Sequence, residues 1–504
     1  MKRIKNFAFP LCAVLLTALL LSACSGYAPG PRQTPPEYFT PSAEAANVRT
    51  ELAPASENGA KTVVENPFVD TAIQPVSTFS GDVDTASYTM MRKMIDAGYN
   101  FRELKATAGR SLRTEEMVNY FDYDCPAPDG ALFGVKATVA PNPYNAGTFL
   151  MKLTLRAEDA PKTEKNNFVF LIDVSGSMSQ SDKLPLLKKA FRTLTAHLTE
   201  DDTVSIVTYS GREAVVLDGC PGSSRETVLD AIDSLVARGS TNGEAGLKKA
   251  YELAEKHFLP DGNNRIILAS DGDLNVGISS EKELEAFVEG KRASGVFLSV
   301  LGFGTGNFRD ANMEAIADHG NGVYYYIDGD FEAEKVFSAD LFKSLYTVAK
   351  DVKLQVTFSP ERVSAYRLIG YENRLLDEKD FENDTKDAGD LGAGALITVF
   401  YELRLAGGST DSDFARLSLR AKQPDGIRSI LEEYAITKDA YTDAPDDDFL
   451  FASAVVELSL CLLDSTYKGA SSPEHLLSRV SALDLKDDPL KTQFVELVKK
   501  LLQA

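Results

Sequence analysis

The chain has 504 residues, 44% of them hydrophobic and 25% charged, the make-up of a globular protein too long for one ordinary core. Its formal net charge of −21 sets a field that repels nucleic acid and anionic lipid headgroups, so no polyanion partner is expected. The 5 cysteines include no C-x-x-C pair and the 4 histidines show no metal-ligand spacing, which argues against a disulfide framework and a zinc site.

The N-terminus reads as a targeting segment. Lys2, Arg3 and Lys5 precede an apolar stretch from Phe7 to Leu21 that is too short for a comfortable membrane span. It closes on Leu21-Ser22-Ala23-Cys24, which resembles the lipobox of bacterial lipoproteins. The resemblance implies a signal peptide over 1–23 and a lipidated Cys24 that opens the mature chain, with more than one acyl chain needed for stable anchoring. Residues 24–66 are rich in Pro, Ala, Ser, Gly and Glu without a hydrophobic period, and read as a disordered tether. Of the other cysteines, Cys125, Cys220 and Cys461 are widely separated and read mostly as small core residues.

Residues 67–160 read as a small α+β module, with helices over Tyr88–Ala97 and Arg113–Tyr120 and strands over Phe133–Val139 and Thr148–Arg156. From 161 to 348 strands and helices alternate. Strands are expected at Phe168–Asp173, Thr203–Tyr209, Ala214–Leu217, Arg265–Ala269, Val296–Gly302 and Gly322–Ile327, with helices between them. Runs such as Ile266-Ile267-Leu268 are apolar throughout, as strands covered on both faces must be, and the alternation predicts an α/β domain with a doubly wound, mostly parallel sheet. The short step from Tyr209 through Gly211 to Ala214 permits one antiparallel edge strand. Residues 349–504 change character: alternating segments predict an antiparallel, β-rich module, closed by helices over Asp447–Leu463 and Leu490–Leu502.

Three loops of the middle domain carry hard oxygen donors. Asp173, Ser175 and Ser177 form a D-x-S-x-S run at the carboxyl end of an apolar strand, where open α/β sheets place their ligand crevices. Thr241 follows Gly239-Ser240, and Asp271 directly follows the strand Arg265–Ala269 and Ser270. Hydroxyl and carboxylate oxygens at one rim suit a hard cation such as Mg²⁺, with Mn²⁺ or Ca²⁺ as alternatives. Gly302-Phe-Gly-Thr-Gly306 is a poor dinucleotide fingerprint, because Asn307 stands where the third glycine belongs.

With these five residues the domain resembles the von Willebrand factor type A superfamily, matching every position of its metal-ion-dependent adhesion site. The resemblance implies that Ser175, Ser177 and Thr241 bind Mg²⁺ directly, that Asp173 and Asp271 act directly or through water, and that one position stays open for a partner carboxylate. A narrower resemblance runs along nearly the whole chain, through Ser77–Ser80, Asp82–Tyr88, Lys183-Leu-Pro-Leu-Leu187, Leu301–Gly304, Gly320–Gly322, Ala349–Val352 and Tyr366–Arg374. These stretches are similar to bacterial lipoproteins with a central type A domain between an N-terminal module and a C-terminal module of unknown role. The expectation is a non-enzymatic binding protein of the bacterial cell envelope, lipid-anchored and extracytoplasmic, that takes an Asp or Glu of a protein partner through a divalent cation. Two alternatives stand beside it: a metal-dependent hydrolase using Asp173, Asp271 and Asp273, and an envelope scaffold whose cation is structural.

Overall fold

A computed structural model describes residues 63–81, 83–107, 109, 111–159, 165–239, 243–260, 262–271, 281–292, 294–304, 310–337, 346–407, 411–424, 426–485 and 488–503. The segments expected to be signal peptide and tether, Cys24 included, lie outside them except for the last residues of the tether, as do Thr241 and Asp273. Glu65 and Asn66, placed in the tether by sequence, are already bonded to the folded body. Glu65 accepts from the Ser465 hydroxyl at 2.6 Å, and the Asn66 amide donates to the Gly370 carbonyl at 2.9 Å.

The first part of the chain runs β1 (Val69–Asp70), β2 (Val76–Ser80), α1 (Ala86–Asp96), α2 (Phe101–Thr107), α3 (Thr114–Val118), β3 (Phe133–Pro141) and β4 (Phe149–Ala157). The middle part runs β5 (Asn166–Asp173), α4 (Leu184–His197), β6 (Thr203–Tyr209), β7 (Ala214–Pro221), α5 (Arg225–Asp233), α6 (Gly243–Lys256), β8 (Asn263–Ser270), α7 (Glu281–Arg292), β9 (Val296–Phe303), α8 (Asp310–His319), β10 (Tyr324–Ile327) and α9 (Asp330–Lys335). Its six strands form one sheet in the order β10-β9-β8-β5-β6-β7, parallel throughout except for the antiparallel edge strand β7. Phe168, Phe170 and Ile172 of β5 pack on the face covered by α4, α5 and α9, while Val169 and Leu171 pack on the other face with α6, α7 and α8. Double coverage is why β5 is apolar at every step from Phe168 to Ile172 rather than at alternate ones.

The last part comprises β11 (Thr347–Phe358), β12 (Val363–Ile369), β13 (Gly389–Gly392), β14 (Leu396–Leu405), β15 (Ala415–Lys422), β16 (Ser429–Ile436), α10 (Asp447–Leu463), α11 (Pro473–Val480) and α12 (Pro489–Gln503). Its strands share sheets with the first part. One sheet has the order β1-β12-β14-β4-β3, and the other has β13-β11-β15-β16 with β2 also paired to β11, all antiparallel. Their facing sides bury a common core that includes Phe79, Leu153, Val356, Val399 and Leu417. The segments read as two modules, 67–160 and 349–504, therefore build one β-sandwich. The physical reason is that a lone hairpin such as β3–β4 is marginal in water, and its alternating pattern states which face is buried without naming the strand beside it.

Helix α10 fills the space outside the first sheet. It is mostly apolar and buried along most of its length, enclosed with α1, α3, α11 and α12 over Leu150 and Phe400, and its one buried carboxylate, Glu457, pairs with Arg479 and His475. Its start is fixed by Asp446, whose carboxylate accepts the Phe449 N–H at 2.8 Å, and its end by Asp464 in the left-handed region at φ 57°.

Candidate metal centre

Strands β5 and β8 are parallel neighbours, with Ile172 in register with Ala269. Asp173, the last residue of β5, and Asp271, one step beyond β8, therefore stand at the same edge of the sheet. After Asp173 the chain turns into a single 3₁₀ turn, Gly176–Ser179. The Ser175 N–H donates to Asp173 Oδ1 at 2.8 Å, and the Ser175 and Ser177 hydroxyls lie 2.8 Å apart. Asp173 and Ser175 are buried, whereas Ser177 is exposed, so the donor group has one side toward solvent.

A third loop closes on the first. The Gly176 N–H donates to the Gly239 carbonyl at 3.1 Å, and the Arg238 N–H donates to the Val174 carbonyl at 2.6 Å. Gly239 sits in the left-handed region at φ +84°, and a Cβ there would meet Ser210 Oγ at 2.6 Å. Both facts require glycine. Thr241 comes two residues later, outside the described residues, so the structure brings together Asp173, Ser175, Ser177 and Asp271 and leaves Thr241 unplaced.

The electrostatics of the edge are unbalanced. Burial pushes the Asp173 carboxyl up to about 6; hydrogen bonds from Ser175 oppose that rise, and the charge of Asp271 adds to it. Asp271 Oδ2 accepts from the Lys183 ammonium at 2.9 Å, but its Oδ1 is sealed from water with no hydrogen-bond partner. Two buried carboxylates thus stand at this edge with the Lys183 ammonium on Asp271, and an orphaned carboxylate oxygen in a dry site is costly. A divalent cation at this edge would relieve both faults. The two hydroxyls also have the right spacing, since adjacent ligands of an octahedral Mg²⁺ at about 2.1 Å stand about 3 Å apart. The residues present fit the cation. Among the described residues no three His, Cys, Asp or Glu side chains form a metal-holding group.

Sequence reading missed two members of the site. Lys183 stands just before α4, and its ammonium reaches Asp271. Nothing local to Lys183-Leu-Pro-Leu-Leu187 names its carboxylate, because Asp271 lies 88 positions away. Tyr209 ends β6, and burial and the nearby charge of Asp173 hold its buried hydroxyl well above the usual range. Nothing in its local sequence separates it from a core tyrosine.

Three family descriptions match: "von Willebrand factor type A domain" over 168–273, "von Willebrand factor" over 54–152, and "Uncharacterized protein YfbK, C-terminal" over 343–503. The chain is 41% identical to the uncharacterized protein YfbK of Escherichia coli over 436 residues, covering 81% of this chain and 74% of that one. It is 28% identical to human inter-alpha-trypsin inhibitor heavy chain H3 over 177 residues, which is 33% of this chain and only 20% of that protein. Among solved structures, a von Willebrand factor type A protein from Catenulispora acidiphila is 20% identical, with a TM-score of 0.41 over 67% of this chain and 80% of that one.

Proposed function

The chain belongs to the YfbK family, and from that premise we propose that it is a membrane-tethered, extracytoplasmic binding protein whose type A domain engages a protein partner through a divalent cation. The type A domain itself supports a protein-interaction or adhesion role. The observation that carries the finer reading is the orphaned Asp271 Oδ1 beside Asp173 and the paired hydroxyls of Ser175 and Ser177. Ser175, Ser177 and Thr241 would supply neutral donors and Asp173 and Asp271 the charge, with Mg²⁺ the preferred ion and Mn²⁺ or Ca²⁺ its substitutes. A bound cation supplies Lewis acidity toward an anionic oxygen. Two carboxylates alone leave room in the shell for an Asp or Glu of the partner. The tether and the lipid on Cys24 would hold the protein at the face of the bacterial envelope membrane, and the acidic surface keeps it from nucleic acid.

The test is capture from envelope extract with the full chain, in Mg²⁺ against EDTA, and with Asp271→Ala. Partner recovery that needs both the cation and Asp271, while circular dichroism stays unchanged, is the expected result. Equal recovery in all arms would replace binding with the scaffold reading. Turnover of a phosphate or peptide ester that depends on Asp173 would replace it with the hydrolase.

A further inference from the structure

Lys183 is built into the metal centre as firmly as the oxygen donors. Its side chain is 7% exposed and that of Asp271 is 2% exposed, so the 2.9 Å contact between them is a buried ion pair. The lysine stem runs against Gly304, just after β9, where a Cβ would come within 2.3 Å of Lys183 Cε. Gly304 also takes the left-handed conformation at φ +81°, and its carbonyl accepts the Tyr326 hydroxyl. The preceding residue is pinned as well: Asp182 accepts from the Lys93 ammonium of α1 at 2.8 Å. The ammonium is thus a buried partner of Asp271, with its stem packed on Gly304, rather than a surface contact.

We propose that Lys183 is a resident counter-ion that weakens cation binding on its own account and keeps the loaded site positive, so that it takes one carboxylate from a partner. This rests on the reading of the site as a divalent-cation centre. The charge count carries the argument. Asp173 and Asp271 bring two negative charges, and a divalent cation alone would cancel them. A neutral site in a dry crevice has little attraction for an external anion. With Lys183 the same site carries one net positive charge, the complement of one Asp or Glu side chain. The ammonium also repels the incoming cation and holds one Asp271 oxygen. Removing its charge should therefore tighten the cation and loosen the carboxylate.

The experiment uses the full chain with Mn²⁺ as the metal probe and acetate as the carboxylate probe. Calorimetry measures Mn²⁺ affinity, and water-proton relaxation of the Mn²⁺ complex follows acetate. Lys183→Met is expected to bind Mn²⁺ at least about tenfold more tightly than wild type and to lose acetate binding, while Lys183→Arg, which keeps the charge, stays near wild type. Lys183→Gln is a second neutral variant that retains a hydrogen bond to Asp271, and it should tighten Mn²⁺ in the same direction should Lys183→Met fold poorly. Unchanged or weaker Mn²⁺ binding by the folded neutral variants overturns the proposal alone, provided wild type binds Mn²⁺ better than Asp173→Ala. Wild type binding Mn²⁺ no better than Asp173→Ala overturns the cation centre and this proposal with it.

Discussion

Arg92→Met keeps side-chain length and removes a charge from the point where three parts of the chain meet. The guanidinium of α1 donates from Nε to Asp328 Oδ2 at 2.6 Å, from Nη2 to Asp328 Oδ1 at 2.7 Å and to Glu332 Oε2 at 2.6 Å. Its Nη1 reaches the Tyr120 hydroxyl at 2.6 Å and Gln493 Oε1 of α12 at 3.0 Å. The Arg92 side chain is 3% exposed, with Asp328 at 6% and Glu332 at 1%, so water cannot replace the lost partner. Breaking a buried ion pair from one side costs about 3–5 kcal/mol. The lower end applies, because Lys335 is a second cation near Glu332 and the carboxyl escapes part of the penalty by taking a proton. Burial already holds Glu332 above its ordinary range, opposed by the charges of Lys335 and Arg92. The chain has no tryptophan, so urea unfolding is best followed by circular dichroism and tyrosine fluorescence. A loss of about 3 kcal/mol is expected, with part of it recovered by adding Glu332→Gln in a double-mutant cycle. A loss below about 1 kcal/mol would refute the reasoning, since that is the range of an exposed pair.

Three further outcomes can be checked. Asp173→Ala should weaken Mg²⁺ or Mn²⁺ binding in calorimetry more than Ser175→Ala does, because it removes a formal charge rather than a neutral donor; equal effects would contradict the assignment. The Asp390 carboxyl is pushed up to about 7, mainly by burial; Oδ1 accepts the Asp351 N–H at 3.0 Å, while Oδ2 is sealed without a partner although the residue as a whole is partly exposed. A carboxyl raised in the folded state favours folding fully below about pH 4 and loses that contribution as pH rises to about 7, so Asp390→Asn should stabilise the protein by up to about 3 kcal/mol at pH 8 and hardly at pH 4, which thermal unfolding at both pH values tests. Cys24→Ala should abolish labelled palmitate incorporation and release the protein from the membrane fraction, and retention of both would remove the lipid anchor.

The legible part of the fold was the part whose information is local. Phe168 to Ile172 and Ile266 to Leu268 announce buried parallel strands by being apolar at every step, and Asp173 and Asp271 follow directly from their ends. The pairing of β2 with β11 and of β4 with β14 was not legible, because it joins residues such as Phe79 to Leu354 and Leu153 to Val399 that are far apart in the sequence. A period-2 pattern fixes the buried face of each strand and is silent on its neighbour. Lys183 escaped for the same reason. Its partner Asp271 is 88 positions away, and only the fold brings Gly304 beneath the stem to make room for it.

The middle domain is an insertion into the β-sandwich. The chain leaves the sandwich at Ala157–Glu158 and returns at Tyr346, and one turn holds both points. The Ala157 N–H donates to the Ala395 carbonyl, the Gly394 N–H to the Glu158 carbonyl, and the Ala393 N–H to the Tyr346 carbonyl, at 2.9, 2.9 and 2.8 Å. Adjacent exit and return points let one domain sit inside another without breaking the host's sheets. Insertion at a single turn would leave the guest free to swing, but helix α1 prevents that. Ala86 and Met90 pack into one face of the central sheet, while Tyr88 and Met91 pack with α10 and α12. The next two residues of the same helix grip the domain at separate places. Arg92 binds Asp328 and Glu332 beyond the last strand, and Lys93 binds Asp182 beside the lysine that faces Asp271. The pair that ties this helix to the metal loop is Lys93–Asp182, with side chains 12% and 31% exposed, whereas the buried pairs of Arg92 hold the segment after β10.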